Sequence, residues 1–500
     1  MCRYIVAVDQ STQGTKGLLF DQDGRMLARA DRQHKQIIND SGWVEHDLEE
    51  ILRNTILVCK DVIEKAGIDS RAIEAMGISN QRETSAAWDK ETGKPVCNAI
   101  VWQCARARQI CDAHKKEAEE IRLKTGLTLS PYFPASKFAW IMRYVPEAGE
   151  LADQERLALG TVDSWLIYRL SHEKNFKTDY SNASRTQLFH IGKLCWDEEI
   201  CKSFGVPVQA LPEVCMSDSC FGTTDLGGIL PKRIPIMGVL GDSHGALFGQ
   251  NCRKKGELKA TYGTGSSVMM NLGDEMVIGS PGVVTSLAWG RKQKIEYVLE
   301  GNLNYTGASI RWLKDISLIS SEEETSWMAQ QAYPKDRTYF VPAFTGLGAP
   351  YWDAKATGLL TGITRTTGKN EIVKACLDSI AYQITDLIRL MRQESGSEIR
   401  EIKVDGGPTA NVYLMQFQSD MAEAAVRIPE LEELSGMGAA YLAGIAAGIY
   451  DEEKIFDHVS YSSFHPKMEM EKRNSLQQGW QQAIAQVLAH GGRQEGLYGT

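Results

Sequence analysis

The feature that most constrains the fold of this chain is a hairpin pattern that occurs twice, once near the N-terminus and once just past the middle. In each copy an apolar run leads into a turn of Thr, Gly and other small polar residues, followed by a second apolar run and an acidic Gly turn; the copies span residues Tyr4 to Leu27 and Leu258 to Val277. Two such runs around a short polar turn predict a β-hairpin. A repeat of this kind predicts two related domains that face each other.

The turn of the first copy, from Asp9 to Lys16, combines an acid at a strand end, hydroxyl side chains and one cation. Such a turn suits the phosphates of a nucleotide and their Mg²⁺, with Asp9 reaching the ion through water. The alternative is a solvated hairpin tip without a ligand.

The second copy lies just after another candidate, Asp242. The apolar run from Ile236 to Leu240 predicts a buried strand, and Asp242 follows it where the pattern becomes helical. A carboxylate at this end of a strand faces the crevice where α/β proteins bind ligands, so Asp242 is a candidate general base. The turn from Thr261 to Gly265 is a candidate phosphate cradle. The alternatives are a helix cap and a plain hairpin.

A third element contains a Gly-Gly turn. The strand predicted from Ile402 runs into Gly406 and Gly407, and a helix is predicted from Tyr413 to Ala422. Glycines and a helix N-terminus allow an adenosine or phosphate group close to the backbone. Together with the two hairpins, this turn predicts a nucleotide shared between the halves.

Four side chains suit a small polyhydroxylated ligand. Arg82 and Glu83 follow the strand predicted from Ala75 to Ser79 and offer a donor and an acceptor side by side, while Trp102 and Tyr132 offer flat apolar faces. Hydroxyls would bond to the charged pair and C–H faces would pack on the rings. The alternatives are a structural ion pair and ordinary core packing.

Composition excludes several classes of partner. The net charge of −9 is spread over a mixed-sign chain without a basic block, which argues against nucleic acid. The 11 cysteines have neither CxxC pairs nor metal-ligand spacing, so reduced thiols in a cytoplasmic protein are expected. No apolar run is long enough to span a membrane. The predicted domains are 1–252 and 253–500, divided near 250–256.

These residues and several longer motifs resemble the FGGY carbohydrate kinases, and within them the members that phosphorylate glycerol. The resemblance covers nearly the whole chain. Its motifs are GWVEHD (42–47), SNQRET (79–84), ETGKPVCNAIVWQC (91–104), TDYSNASRTQLF (178–189), GDSHGALFGQ (241–250), TYGTG (261–265), VPAFTGLGAPYWD (341–353), LDSIAYQ (377–383) and MQFQSD (415–420).

The resemblance implies an α/β fold of two ribonuclease-H-like (actin/hexokinase-like) domains, with ATP in the central cleft and a small polyol at its base. Asp242 would take the proton from the attacking primary hydroxyl. The polyol would contact Arg82, Glu83, Trp102 and Tyr132. The phosphates would contact Thr12, Lys16, Gly263 and Thr264, and the nucleoside would lie near Gly307, Gly407 and Asn411. ATP and Mg²⁺ are the expected cofactors, and the resemblance is compatible with a homodimer or a homotetramer.

The chain departs from those members at several of these positions. Ser243 stands where Gln is usual after the catalytic Asp, and Ser267 stands where a Phe usually packs on glycerol. Both changes remove bulk from the acceptor site and add a hydroxyl. At the nucleotide site, Gln13 and Lys16 replace Thr and Arg, and Arg311 replaces a Gln near the adenine. Pro231 replaces a Gly in the loop that binds an inhibitory sugar bisphosphate in some members, although Arg233 remains.

The function expected from the resemblance is ATP-dependent phosphorylation of a primary hydroxyl of a small polyol, with conversion of glycerol to glycerol 3-phosphate as the first choice. The alternative is a kinase for a four- or five-carbon polyol or ketose of tetritol, xylulose or ribulose type. Two hypotheses from different classes of protein are an ATP-driven conformational protein and a catalytically idle sugar sensor. Asp242 beside an aromatic polyol pocket argues against the first, and the presence of Asp242 with both phosphate turns disfavours the second.

Overall fold

The computed structural model describes residues 2–351 and 353–491. Met1, Trp352 and residues 492–500 lie outside this range. Trp352 belongs to the motif at 341–353 that supports the resemblance, and the other positions belong to the ends of the two predicted domains.

The first large sheet has six strands and is built from the N-terminal half. In spatial order its strands are Gly222–Thr224, Ile234–Gly241, Ile73–Asn80, Tyr4–Gln10, Gly14–Phe20 and Met26–Gln33. The three N-terminal strands form an antiparallel meander, while Ile73–Asn80 and Ile234–Gly241 run parallel to Tyr4–Gln10. The carboxyl ends of these three parallel strands therefore meet at one edge.

The second large sheet has seven strands and is built from the C-terminal half. Its order is Val284–Arg291, Lys294–Leu303, Ser266–Gly273, Leu258–Tyr262, Glu401–Asp405, Ala425–Pro429 and Tyr461–Phe464. Leu258–Tyr262 again pairs with an antiparallel partner on one side and a parallel partner on the other. Both sheets thus place an antiparallel hairpin, extended by further antiparallel strands, beside two parallel strands, which is the arrangement of a ribonuclease-H-like domain. The predicted internal repeat is confirmed.

Both predicted hairpins are present, with tighter turns than the sequence suggests. The first turn contains only Ser11, Thr12 and Gln13, because strand pairing continues through Asp9 opposite Lys16 to Gln10 opposite Thr15. Ser11 closes the turn through its backbone N–H and its hydroxyl, both of which donate to the Gly14 carbonyl. The second turn contains only Gly263, Thr264 and Gly265.

Helices cover both faces of the first sheet. Leu48–Ala66 begins at the Asp47 cap, which accepts from the Glu49 N–H, and ends at Gly67 with φ +64°. It packs on one face with Val162–Leu170, and Asp242–Gly249 packs on the other. The remaining helices are Arg108–Ala113, Ala118–Thr125, Pro134–Tyr144, Pro146–Asp153, Tyr180–Ala183, Glu198–Phe204, Gly307–Asp315, Glu324–Gln331, Lys369–Ser395, Val412–Ala422, Leu434–Ala446 and Met470–Gly491.

Short strands form five small sheets outside the two large ones. Their strands are Ile37–Ile38, Val44–His46 and Ala99–Ile100; Ala86–Asp89 and Leu157–Gly160; Lys177–Asp179 and Glu213–Cys215; Phe189–His190 and Cys195–Trp196; and Tyr339–Val341 and Leu359–Thr361.

The helix Leu434–Ala446 crosses from the second half of the chain to the first sheet. Its small residues allow very close contact, since a Cβ on Gly77 or on Gly238 of the sheet would lie 2.5 Å from its backbone. The run rich in glycine and alanine from Gly436 to Gly448 predicts a small-residue helix able to pack closely on a sheet, and the structure contains both the helix and the packing. The sheet, however, belongs to the other half of the chain. A single cut at 252/253 therefore does not separate two complete units, and the predicted domain boundary stays a prediction.

Candidate active site

A cavity of about 640 Å³ lies where the carboxyl edges of the two sheets face each other. Six of the predicted site residues line it: Asp9, Lys16, Asp242, Ser243, Ser267 and Gly407. Its other lining residues include Lys259, Thr261, Asp405, Thr409 and Glu433. The structure thus brings together the candidate base, the first turn, the second hairpin and the Gly-Gly turn.

Asp242 is the first residue of the helix Asp242–Gly249, directly after the strand Ile234–Gly241. It does not cap this helix in the usual way, because its Oδ1 accepts only from the N–H of the next residue, Ser243, at 2.6 Å. The Arg82 Nε atom lies 3.1 Å from the same oxygen. Among the described residues no hydrogen bond reaches Oδ2, and 37% of the side chain is exposed. This carboxylate is therefore fixed on one side and open to a ligand on the other.

A buried ion network holds Arg82 and Glu83. Arg82 donates through both Nη atoms to Glu300, at 2.8 and 2.9 Å. Arg185 donates to Glu83 at 2.6 Å and lies 2.8 Å from Glu300. Arg82 and Glu83 also lie within ion-pair distance of each other, at 3.9 Å. The predicted donor and acceptor are thus each oriented by a further charge.

The two carboxyl groups of this network respond differently to burial, which raises the pKa of Glu83 despite the opposing charges of Arg82 and Arg185. Burial alone would raise the pKa of Glu300, but the Arg185 and Arg82 guanidiniums outweigh it and hold that pKa well below its usual range.

The backbone of Glu83 has φ +61°, a left-handed conformation that is unfavourable for a residue with a side chain. Such conformations persist where the surroundings impose them, and they cluster at binding sites.

Trp102 and Tyr132 form the predicted aromatic pair, with ring centres 5.3 Å apart. The Trp102 indole N–H donates to Thr12 Oγ1 at 3.0 Å, so this pair is joined to the first turn. Buried Lys137 donates to the carbonyls of Pro131 and Tyr132, both at 2.6 Å. Its burial lowers its pKa to about 7. These rings, like Arg82 and Glu83, do not line the cavity itself; Arg82 reaches it through Asp242.

In the first turn, Asp9 and Lys16 lie opposite each other across the hairpin. Asp9 is buried, accepts from Ser79 Oγ at 2.9 Å, and has its pKa raised to about 6, mainly by burial. Lys16 pairs with Glu433 at 2.6 Å. Gln13 is exposed at the tip of the turn.

The carboxylates near the first turn bear on the predicted Mg²⁺ site. No group of three or more His, Cys, Asp or Glu within residues 2–351 and 353–491 is arranged to hold a metal. A single carboxylate ligand such as Asp9 fits a hydrated Mg²⁺ that takes its remaining ligands from phosphates and water. Asp9 therefore fits the predicted contact through water.

The predicted phosphate and nucleoside residues of the C-terminal half divide into two groups. Gly263, Thr264 and Gly307 form one unit, because the Gly307 N–H donates to the Gly263 carbonyl at 2.9 Å, and two further N–H groups of this helix start donate to the Thr264 carbonyl. A Cβ on Gly307 would lie 2.7 Å from that Gly263 oxygen. Arg311 is exposed on the same helix. Asn411, by contrast, caps Val412–Ala422 through its side-chain oxygen and donates to Thr325.

Sequence reasoning gave no role to several site residues. Arg185 lies in the motif at 178–189. Glu300 lies inside a run of five buried strand residues, and an acid in such a run is a signal that could have indicated a functional role. Lys259 and Asp405 also come from buried strands, and Asp405 accepts from Thr261 at 3.2 Å and from Gln250. Glu433 follows no recognisable pattern.

Comparison with known proteins agrees with this geometry. Residues 4–249 match the family model described as the FGGY family of carbohydrate kinases, N-terminal domain, and residues 258–447 match its C-terminal domain. The two facing domains and these two family models together define a kinase of the actin/hexokinase-like type. The chain belongs to the FGGY family of carbohydrate kinases.

Individual relatives are similar over nearly their full length. Glycerol kinase 1 of Thermotoga maritima is 46% identical over 490 residues, covering 97% of this chain and 99% of the relative. Glycerol kinase of Alkaliphilus oremlandii is 45% identical and covers 98% of each chain. The crystal structure of Plasmodium falciparum glycerol kinase with ADP superposes with a TM-score of 0.93 at 34% identity, covering 97% of this chain and 98% of that one. The predicted fold class is confirmed.

The sequence contains no apolar run that is predicted to span a membrane. Among the described residues, none of the helices combines the length and the apolar character that crossing a bilayer requires.

Proposed function

We propose that this protein transfers the γ-phosphoryl group of ATP to a primary hydroxyl of glycerol and releases glycerol 3-phosphate and ADP. The observation that carries the proposal is the Asp242 carboxylate, held by Arg82 at 3.1 Å and open to the cavity between the sheets. The glycerol kinases named above support the choice of acceptor. We place the reaction in the cytoplasm, and a homodimer or homotetramer stays a prediction.

The proposed chemistry is in-line transfer with removal of the hydroxyl proton in the same step. Asp242 Oδ2 accepts the proton of the primary hydroxyl as its oxygen forms a bond to the γ-phosphorus. The bond from that phosphorus to the β,γ-bridging oxygen breaks, and the electron pair leaves with ADP. Little covalent work falls to the protein in such a transfer, so orientation and charge stabilisation supply most of the rate.

The acceptor would be held by the buried ion network and the aromatic pair. Glu83 and Arg82 are fixed by Arg185 and Glu300, so their remaining hydrogen-bonding capacity is pre-oriented. Ligand hydroxyls would bond to this pair, and carbon faces would pack on the rings. The proposed acceptor residues are Arg82, Glu83, Trp102, Tyr132, Asp242, Ser243 and Ser267.

ATP would lie across the two hairpins and the Gly-Gly turn. Lys16 would exchange its Glu433 partner for phosphate oxygens, and Asp9 would contact a hydrated Mg²⁺, which neutralises phosphate charge when bound. The proposed nucleotide residues are Asp9, Thr12, Gln13, Lys16, Gly263, Thr264, Gly307, Arg311, Gly407 and Asn411.

A larger acceptor is the second candidate, and one observation favours it. Ser267 Oγ is buried and has no hydrogen-bond partner among the described residues, although its side chain lines the cavity. A four- or five-carbon polyol or ketose would supply a hydroxyl to this oxygen.

The test is an ADP-release assay with glycerol, tetritols, pentitols, xylulose and ribulose, with the product identified by mass spectrometry and NMR. Glycerol is expected to give the highest kcat/KM, with phosphate on a primary carbon. A higher value for a longer acceptor would replace glycerol by the second candidate. ATP hydrolysis that no acceptor stimulates would contradict the kinase proposal and favour an ATP-driven conformational protein.

A further inference from the structure

Lys259 is a buried lysine in the cavity wall that the proposed mechanism does not use. It lies in the strand Leu258–Tyr262, a few residues before the turn that starts at Gly263, and only 1% of it is exposed. It lines the same cavity as Asp242, Asp9 and Asp405. An ammonium group at this depth is costly unless something compensates its charge.

The contacts of Lys259 leave much of its donor capacity unused. Within the described part of the chain its Nζ donates one hydrogen bond, to Thr261 Oγ1 at 3.0 Å, and makes no ion pair. An ammonium group has three donors, so two remain for a ligand. The Thr261 hydroxyl in turn donates to Asp405, so that carboxylate is not the direct partner of the lysine.

The neighbouring strand provides a comparison. Lys403 pairs in register with Lys259 across Leu258–Tyr262 and Glu401–Asp405, and it is also buried. Its Nζ donates to the Asn251 carbonyl at 2.9 Å, and the residue does not line the cavity. Of these two buried lysines at paired positions of the same sheet, Lys259 lines the cavity that holds the candidate base, and Lys403 does not.

We propose that Lys259 is a further catalytic residue, whose ammonium group contacts the non-bridging oxygens of the phosphoryl group as it passes from the nucleotide to the acceptor. This inference rests on the proposed function. Lys259 forms no covalent bond and transfers no proton; it supplies positive charge where negative charge is concentrated in transfer. A charge held in a water-poor cavity stabilises a transition state more than a solvated one.

The electrostatic surroundings agree with this role. Burial lowers the pKa of Lys259, while Asp405 and Glu300 oppose that effect. Arrival of a phosphate group would favour the charged form further, because opposite charges close together stabilise each other.

The test compares Lys259→Met with Lys403→Met as the matched control, and with Lys259→Arg to retain charge. Three quantities are measured: kcat with glycerol and ATP, the Kd for ADP, and the Kd for ADP with aluminium fluoride and glycerol, which imitates the group in transfer. Lys259→Met should lower kcat by about 10²–10³-fold and weaken the aluminium fluoride complex by a similar factor, with ADP affinity changed by less than about threefold. Lys403→Met should lower thermal stability and leave the ratio of the two Kd values unchanged.

Rescue separates charge from packing. In Lys259→Ala, methylammonium and ethylammonium should restore part of kcat, whereas methanol and ethanol should not. Two results would overturn the inference: unchanged affinity of Lys259→Met for the aluminium fluoride complex, or equal losses of kcat in Lys259→Met and Lys403→Met. Either result leaves the proposed function intact as long as the wild-type enzyme is active on glycerol. A wild-type protein inactive on every acceptor would instead overturn the proposed function.

Discussion

At the scale of single residues, Asp242 is the position on which the proposed chemistry depends most. Asp242→Asn keeps the size of the side chain but cannot accept the hydroxyl proton. We expect kcat to fall by about 10²–10⁴-fold while ATP still binds. Steady-state kinetics and calorimetric titration with ATP measure the two quantities, and near-wild-type turnover would remove Asp242 from the mechanism.

Ser267 tests the size of the acceptor site. Ser267→Phe should fill the part of the cavity that this side chain lines, and each methylene of new contact with a carbon face contributes about 0.8 kcal/mol. We expect kcat/KM to rise for glycerol and to fall for any four- or five-carbon acceptor.

The rival outcome for Ser267 is easily recognised in the same assay. If the wild-type enzyme already prefers glycerol strongly and Ser267→Phe impairs it, neighbouring side chains fill this wall. The enlarged acceptor pocket is then wrong.

The position of a side chain is predictable where neighbours in sequence carry the signal. Asp242 follows a buried strand, and the structure places it at the cavity; Arg82 and Glu83 are adjacent and lie in one network. Arg185 and Glu300 complete that network from distant segments, and no local pattern pairs charges so far apart in the chain. The bond between Trp102 and Thr12 is another contact that only the tertiary fold creates.

At the scale of elements, the helix Leu434–Ala446 positions the helix that begins with Asp242. A Cβ on Gly438 would lie 1.9 Å from the Gly245 carbonyl oxygen. Gly438→Ala should therefore push the two helices apart, lower the free energy of unfolding by about 1–3 kcal/mol and reduce kcat through displacement of Asp242. Denaturant unfolding and kinetics give the two values.

Gly149→Ala is the matched control for this substitution. Gly149 is also helical, in Pro146–Asp153, but a Cβ there meets nothing within 4 Å. It should raise stability by up to about 1 kcal/mol and leave kcat unchanged. Equal stability of Gly438→Ala and the wild-type protein would show that the two helices tolerate more separation than their backbone contact implies.

Elements are predictable to the extent that their signals are local. The apolar periodicity from Glu49 to Lys65 predicts the helix found at Leu48–Ala66. Its ends are also marked locally, because Asp47 is a typical N-cap residue and Gly67 a typical C-terminal glycine. The turns are longer in prediction than in the structure, since polar residues such as Asp9 and Lys16 still pair as strand. Which sheet a small-residue helix covers depends on long-range packing, and no local signal reports it.

At the scale of the whole molecule, we expect the two halves to approach each other when nucleotide and acceptor are both bound. The cavity lies between the sheets, so ligands that contact both walls favour a closed arrangement. Small-angle scattering should show a smaller radius of gyration with both ligands than with either alone. An unchanged radius, with both ligands shown to be bound, would contradict closure.

The repeated hairpins allow the two-domain architecture to be predicted, because in each sheet the first strand of the hairpin has an antiparallel partner on one side and a parallel partner on the other. The placement of one half relative to the other is harder to predict from the sequence, because it depends on contacts between distant segments, such as that of Arg82 with Glu300.

The packing of Leu434–Ala446 on the first sheet also has a consequence for folding during synthesis. The last parallel strand of the first sheet ends at Gly241, but the helix that covers its face starts at Leu434, roughly 190 residues later. At about 5–20 residues per second, a ribosome needs roughly 10–40 seconds to make that interval. During that time Asp242–Gly249 covers only part of this face of the sheet, and the apolar surface that Leu434–Ala446 will bury stays exposed. We expect chaperones to bind the nascent chain at this stage.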